Sequence, residues 1–310
     1  MGYILVLLAA TFWGSLGVIV TYLKNIGFNS YEISFFRMFF ATILMFIYIL
    51  FSDKKKFIIS GKKLIFCLLV GVISQGLFNL FYFGSIVRVG ITTGVILLYT
   101  APIFTMIFAR IFNGVLLTKI NIFSIILCFI GCFFIVTNGS INNFVGDIVG
   151  IILGILAGMS YGILPIFNKN LPKEIDSYTL MFYSFLAGVF VISTQINPLE
   201  SLKTLSQDRS LIILGLGFGL IPTILSHLFF LKAIKYLDPI RVSIVANFEV
   251  MVASYVGFLI YGEKLGIIKI IGMFLIIIAS ILPSIKNLRK RKLKVISREV
   301  KNYAFKNKKI

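Results

Sequence analysis

A small set of polar and aromatic side chains recurs within the long apolar stretches of this chain. Gln75, Asn79 and Tyr82 lie at positions i, i+4 and i+7, so they share one face of a predicted helix. Thr223 and His227 occupy the matching places 148 residues later (223 − 75 = 148). Taken singly, each is equally suited to bond a neighbouring helix. Taken together, they predict a binding cavity lined by Trp13, Gln75, Asn79, Tyr82, Tyr99, Tyr161, Thr223, His227 and Asn247.

Two charged side chains, Glu249 and Arg37, also fall within apolar stretches long enough to cross a bilayer. An ionisable group at that depth is costly, so it is usually paired or functional. Glu249 follows Asn247 by two residues, about 200° around a continuous helix, which predicts that the two side chains point nearly opposite ways. We expect Glu249 to be a proton-coupling group or a structural acid paired with Arg37, needed for function without touching a ligand.

Three prolines, Pro102, Pro165 and Pro222, lie inside predicted helices. Each removes one backbone hydrogen bond and frees a carbonyl that only a neighbouring group or water can satisfy. Both ordinary kinks and gating hinges fit this pattern.

A competing chemistry can be drawn from Ser160 and His227. Residues 158–162 read Gly-Met-Ser-Tyr-Gly, which matches the G-x-S-x-G pattern of serine hydrolases. Small residues in membrane helices produce such matches readily, so we expect no catalytic residue and no enzyme. We also expect no cofactor and no metal, because no CxxC occurs among Cys67, Cys128 and Cys132.

The elements that must position these residues are predicted from composition. Hydrophobic residues make up 59% of the 310 positions and charged residues only 13%, against roughly a quarter in soluble domains. The pattern predicts an all-α membrane protein with ten transmembrane helices. The predicted spans are 3–23, 31–51, 64–87, 90–112, 120–138, 146–168, 178–196, 210–235, 239–261 and 266–285.

The net charge of +19 lies mainly at helix ends and in residues 286–310, which argues against a nucleic-acid partner. Lysine and arginine are concentrated in the connections that share a side with the chain ends. The positive-inside rule therefore predicts a multi-pass protein of the cell membrane with both termini in the cytoplasm. The basic tail is expected to lie near anionic lipid.

The separation of 148 residues holds from the first predicted helix to the last. It relates Gly14 to Gly162, and it relates two further glycine pairs in the same register. Each half, 1–140 and 141–285, contains five predicted spans, so the halves enter the membrane in opposite directions. Inverted repeats are typical of secondary transporters, whose site lies near the middle of the membrane between the halves.

Several short motifs occur in a fixed order along the chain. Residues 9–15, Ala-Ala-Thr-Phe-Trp-Gly-Ser, resemble the opening motif of the drug/metabolite transporter superfamily, EamA family, and Arg37 fits its second span. Ala101-Pro102, Phe248-Glu249 and residues 262–265 are similar to its later motifs, so the resemblance covers residues 1–285. The chain departs from the pattern at residues 113–115, where Gly-Glu is usual, and at Val250, where proline is usual.

The resemblance implies export of amino acids, other metabolites or drugs. We therefore expect a secondary transporter that exports small metabolites, such as amino acids or amphipathic compounds, by alternating access. The expected partners are a small-molecule substrate, the lipid bilayer and protons as the coupling ion. A non-coupled channel is the alternative, although no ring of charges or filter sequence supports it. The uncharged lining predicts a preference for neutral or zwitterionic solutes.

Overall fold

A computed structural model describes residues 1–139 and 147–283, and the regular structure in these two ranges is helical throughout. The predicted tail, residues 286–310, and the predicted boundary between the halves at residues 140 and 141 lie outside the described residues. The prediction of an all-α protein is confirmed for the part described.

Residues 1–139 contain seven α-helices, and residues 147–283 contain nine. The first seven are α1 (Gly2–Gly14), α2 (Leu16–Asn25), α3 (Ser30–Ser52), α4 (Gly61–Gly71), α5 (Phe78–Leu98), α6 (Ala101–Asn113) and α7 (Lys119–Thr137). The others are α8 (Ile148–Gly162), α9 (Leu164–Lys169), α10 (Ser177–Ser193), α11 (Pro198–Ser206), α12 (Arg209–Gly219), α13 (Ser226–Ile234), α14 (Pro239–Ala246), α15 (Phe248–Tyr261) and α16 (Ile267–Pro283). Two π-helical segments, Val72–Leu77 and Leu220–Leu225, connect α4 to α5 and α12 to α13.

In the part of the chain that the structure describes, seven helical stretches are long and apolar enough to cross a membrane, or eight if α10 and α11, bent by 105°, form one span. The predicted number was ten. The difference arises because Gly61–Leu98 forms one stretch across predicted spans three and four, and because α6 and α16 are shorter than a full span. Gly90 interrupts that stretch with φ 78° and ψ 164°, a conformation that glycine adopts readily.

Irregularities of the backbone recur at the separation predicted from the sequence. The break between α1 and α2 at Ser15 corresponds to the break between α8 and α9 at Ile163. The two π-helical segments begin at Val72 and Leu220, again 148 residues apart (220 − 72 = 148). These interruptions break the i→i−4 ladder at equivalent places, so the two halves share one backbone plan.

Two helix crossings bring the halves of the structure into close contact. At Gly14 on α1, an added Cβ would come within 2.6 Å of the backbone oxygen of Glu249 on α15. At Gly162 on α8, it would come within 2.6 Å of the backbone oxygen of Ala101 on α6. Ala101 and Glu249 are themselves 148 residues apart (249 − 101 = 148), so the crossings are equivalent. Glycine at both places allows the backbones to approach as membrane helices do at small residues.

Candidate substrate site

A hydrogen bond between the halves lies at the centre of the predicted set. The side-chain nitrogen of Gln75 lies 3.0 Å from Nε2 of His227, and both residues are buried. Nδ1 of His227 lies 2.8 Å from the carbonyl oxygen of Thr223 one turn earlier. A carbonyl can only accept, so Nδ1 carries the proton, and Nε2 accepts from the Gln75 amide. Three residues predicted from the sequence, Gln75, Thr223 and His227, therefore form one network.

Asn79 extends this network to a third helix. Its side-chain amide donates to the carbonyl oxygen of Gln75, and its side-chain oxygen accepts from the hydroxyl of Ser34, 3.0 Å away on α3. Gln75 lies within the π-helical segment Val72–Leu77, and Asn79 lies one turn later on α5. Ser34 was not predicted, because a single serine in an apolar helix gives no sequence signal.

Aromatic rings surround the hydrogen-bonded centre. Trp13 on α1 packs edge-to-face on His227, with centroids 5.4 Å apart, and its ring lies 6.2 Å from that of Tyr161 on α8. Phe78 continues the wall, with its ring 5.6 Å from Tyr161 and stacked at 5.8 Å on Tyr82. Phe185 and Phe230 complete it from α10 and α13. Phe78 and Phe185 were missed because phenylalanine is too common in this chain, at 32 residues, to be singled out.

Asn247 and Tyr99 lie in a second group, toward α7. The Asn247 amide donates to Sγ of Cys128 at 3.3 Å and to Sγ of Cys132 at 3.7 Å. Tyr99 is buried in the same apolar cluster as both cysteines. Asn247 also separates α14 from α15, so its side chain anchors a helix break to α7.

Glu249 connects the two groups, in contrast to the predicted orientation. Its carboxylate interacts with the hydroxyl of Tyr161, and it lies within electrostatic range of Tyr82 and Tyr99. The prediction assumed a continuous helix, but the chain is broken at Asn247, so an angle of 100° per residue does not apply there. Glu249 therefore faces predicted cavity residues rather than a separate packing surface.

The predicted ion pair between Arg37 and Glu249 is not formed in the described part of the chain. The ion pairs found there join Lys56 to Asp176, Arg88 to Asp147, Arg241 to Asp238 and Lys269 to Glu263. Arg37 instead lies within electrostatic range of Tyr161, the same phenol that interacts with Glu249. The Tyr161 side chain thus interacts with both charges while they remain unpaired.

The three prolines lie at the irregular parts of the helices. Pro102 and Pro165 are in the first turns of α6 and α9, directly after a break, and Pro222 lies in the second π-helical segment. A proline in a first turn costs no intrahelical bond, so Pro102 and Pro165 begin new helices rather than kinking continuous ones. Their role as gating hinges remains a prediction.

The alternative pairing of Ser160 with His227 finds no support in the geometry. Both ring nitrogens of His227 face other partners, the Gln75 amide and the Thr223 carbonyl. A serine nucleophile requires a base within hydrogen-bond reach of its hydroxyl. Among the residues that the structure describes, no group of three or more metal-ligating side chains is found either.

The space at the centre is small. A cavity of about 10 Å³ lies beside Gln75 and His227 and is bounded by Ser74, Asn168 and Phe185 among others. This is about enough for one water molecule, whereas ligand sites usually measure several hundred Å³. A small metabolite could enter only after the helices move.

Comparisons with known proteins agree with this architecture. The model of the EamA-like transporter family matches residues 1–137 and 148–285, once for each half. A solved structure titled "Crystal structure of protein" superposes with a TM-score of 0.76 at 9% identity, covering 93% of this chain and 98% of that one. No curated protein matches. With the family model matching both halves, the chain belongs to the EamA-like transporter family.

Proposed function

We propose that this protein is a secondary transporter that exports small metabolites, such as amino acids or amphipathic compounds, by alternating access. The observation that carries the proposal is the Gln75–His227 hydrogen bond, which joins the two repeats inside a wall of aromatic rings. Polar groups in membrane helices mark substrate pathways when they face the interior of the bundle. Family membership supplies the general activity, and the central network indicates where the solute binds.

Ten spans in two inverted halves are the topology that we propose. Division of Gly61–Leu98 at Gly90 gives two crossings, and the second continues through the break at Tyr99 into α6. Counting α10 and α16 as spans brings the total to ten. The distribution of lysine and arginine supports a cytoplasmic location for both termini.

Side-chain contacts join the helices at both outer ends of the bundle, and these contacts support alternating access. The ends of α6 and α9 meet through the Asn113 and Asn170 side chains, 2.7 Å apart. At the equivalent place, the hydroxyl of Tyr261, the last residue of α15, donates to the carbonyl oxygen of Val18 on α2 at 3.2 Å. Together with the small central cavity, these contacts support an occluded state as the arrangement from which each end opens in turn.

The lining suits neutral or zwitterionic solutes, and protons are the proposed coupling ion. Gln75, Asn79 and Thr223 supply uncharged donors and acceptors, while Trp13 and Tyr161 supply apolar faces. Glu249 is the proposed carrier of the coupling proton, because it lies among the predicted cavity residues and forms no ion pair in residues 1–139 and 147–283.

A metabolite comparison tests the proposal. Cells that overproduce the protein should accumulate at least one small metabolite in the medium relative to cells that lack it. The same compound should then be transported by proteoliposomes that contain the purified protein. Liposomes with His227→Leu protein, inserted to the same level, serve as the control and should be nearly inactive. If no metabolite differs between the cells and none is transported, the proposed function is wrong.

A further inference from the structure

The small cavity beside the Gln75–His227 hydrogen bond has polar lining groups from both repeats. It measures about 10 Å³, and Ser74 and Gln75 of the first half line it together with Asn168, Ser184 and His227 of the second. This is about the space that one water molecule needs, and a polar lining distinguishes a hydrated cavity from a dry one. The cavity therefore suits one very small polar molecule.

One lining group has no hydrogen-bond partner. Oδ1 of Asn168 is buried, and it accepts no hydrogen bond from any residue that the structure describes. Asn168 is the last residue but one of α9, the short helix that begins after the break at Ile163. A buried carbonyl oxygen without a donor is costly, so Asn168 requires a donor from within the cavity.

The serine hydroxyls of the lining do not supply this donor. Oγ of Ser74 donates to the carbonyl oxygen of Val70 at 2.6 Å, and Oγ of Ser184 donates to the carbonyl oxygen of Cys67 at 3.3 Å. A hydroxyl has one hydrogen, so each serine as bonded offers only acceptor positions to the cavity. The shorter bond fixes Ser74 as an acceptor more firmly, and a hydroxyl that donates strongly also accepts more strongly.

A water molecule meets these requirements better than an ion does. Water can donate two hydrogen bonds, one to Oδ1 of Asn168 and one to a serine oxygen. An anion would bring only further acceptors. A cation would lack a counter-charge, because no carboxylate occurs among the described residues that line the cavity.

We propose that the cavity binds one water molecule, which donates to Oδ1 of Asn168 and to Oγ of Ser74. Because Ser74 belongs to the first half and Asn168 to the second, this water bridges the two repeats beside the Gln75–His227 bond. The site holds whichever solute the protein transports, so the proposal and the proposed function can fail separately.

The water site lies between the central network and one end of the bundle. Met181, near the start of α10, and Leu231, near the end of α13, line the cavity together with Asn168. At the same end, the Asn113 and Asn170 side chains join α6 to the residue that follows α9. If this end opens as the proposed function requires, we expect the bound water to exchange with solvent there.

X-ray radiolysis of the purified parent protein tests the proposal without any substitution. Radiolysis converts a bound water into a hydroxyl radical in place, and the radical oxidises the side chains beside it. Met181 lines the cavity, whereas Met45 does not, although both are only 2% exposed. Met181 should therefore be oxidised several times faster than Met45. Equally slow oxidation of the two would mean that no water is bound there, and the proposal would be wrong.

Hydrogen peroxide added to the solution distinguishes a bound water from access of bulk solvent. Peroxide must diffuse to its target, so it should oxidise Met181 and Met45 equally slowly in the folded protein. Rapid oxidation of Met181 by peroxide would show that bulk solvent reaches the cavity, and this would overturn the proposal of a single bound water.

Asn168→Leu tests the assigned acceptor. Leucine has a similar size but no acceptor oxygen, so radiolytic oxidation of Met181 should fall toward the rate of Met45. Asn25→Leu, at an exposed position at the end of α2, is the matched control and should leave both rates unchanged. Parent-like oxidation of Met181 in Asn168→Leu would refute the role of Asn168. A variant that failed to fold would be recognised by faster oxidation of Met45, and the parent measurements would then decide.

Discussion

The crossing of α1 with α15 and the crossing of α8 with α6 have equivalent backbones but different side-chain bonds. At the second crossing, the hydroxyl of Thr105 donates to the carbonyl oxygen of Gly162 at 2.7 Å and lies 3.1 Å from the hydroxyl of Ser243. Thr105 corresponds to Ala253 in the other half (253 − 105 = 148), which has no hydroxyl. There Gly14 packs against Val252 instead.

The repeat therefore preserves the backbone geometry of the helix crossing in both halves, but the interaction energy between the crossing helices differs. A buried hydrogen bond adds about 1 kcal/mol to the closed arrangement of α6 and α8, a term that apolar packing at Gly14 lacks. We therefore expect the α1–α15 side to open more readily. In the proposed topology, the outer end of that side faces out of the cell, so the outward-open state should be favoured over the inward-open one.

The largest effect on transport is expected from substitutions in the hydrogen-bonded network that joins the two halves. Asn79→Leu and His227→Leu each remove a partner from the buried network, which typically costs ~1–3 kcal/mol. Transport should fall up to about a hundredfold in proteoliposomes, while the protein still reaches the membrane. The matched control is Ile277→Leu on α16, at a more exposed apolar position. Parent-like transport by both network variants would mean that this polar face serves only for packing.

Adding a methyl group to each crossing tests whether the two are equivalent. Gly14→Ala and Gly162→Ala would both place a Cβ within 2.6 Å of a backbone oxygen. Each should lower the free energy of unfolding by about 1–3 kcal/mol, measured as the thermal midpoint of the purified protein. Gly217→Ala, in α12, meets nothing within 4 Å and should be neutral or slightly stabilising. An unchanged midpoint for one crossing variant alone would show that the crossings are not equivalent.

Thr105→Ala should make the α6–α8 crossing resemble its counterpart. Removing the hydrogen bond costs about 1 kcal/mol of stabilisation of the closed arrangement. The closed-to-open equilibrium on that side should therefore shift roughly fivefold toward opening. Spin labels on Arg110→Cys and Lys169→Cys, at exposed positions, would report the change as a larger population of long distances. Ala253→Thr at the other crossing is the reciprocal variant. If Thr105→Ala leaves the distance distribution as it was, the hydroxyl does not bias the two sides.

The smallest effect, on stability alone, is expected from an ion pair that lies far from both helix crossings. Asp176 precedes α10 and forms an ion pair with Lys56 at 2.9 Å. Burial alone raises the pKa of the Asp176 carboxyl, but hydrogen bonds from the Thr179 backbone and the ion pair outweigh it, so the pKa is lowered. A lowered pKa means that the stabilisation is present above the unfolded value, near 4, and is lost as pH falls through the folded value.

Asp176→Asn keeps the helix cap but loses the ion pair. The parent should therefore be more stable than this variant by about 0.5 kcal/mol or less at neutral pH, because the pair is partly exposed. The difference in thermal midpoint should vanish toward pH 3. An equal difference at both pH values would mean that the ion pair is not its cause.

The repeat was predictable from the sequence because its matching residues keep a constant separation along the chain. Gly14, Gly162 and the paired aromatic residues keep one register, and the structure shows backbone breaks at the same separation. The all-helical class followed from composition alone. Gln75, Thr223 and His227 were recognisable as a set because polar residues are rare in these apolar helices, but the hydrogen bonds that join them were not predicted.

Contacts that depend on helix direction were not predictable. The direction in which the Glu249 side chain points depends on the helix break at Asn247. No residue type near Asn247 indicates a break in the sequence. Ser34 and Phe78 are ordinary residues of apolar helices, whose periodicity says little when every face is apolar. The pairing of Thr105 with Gly162 depends on the crossing itself, which only the tertiary structure defines.

Cross-linking each outer end tests the central claim of alternating access most directly. Cysteines at Asn113 and Asn170 would lock the α6–α9 end, and cysteines at Val18 and Tyr261 would lock the other. The native cysteines are buried and need no replacement. Either cross-link should stop transport in proteoliposomes, and reduction should restore it, while single-cysteine variants remain active. Transport at the uncross-linked rate with either end locked would contradict the account.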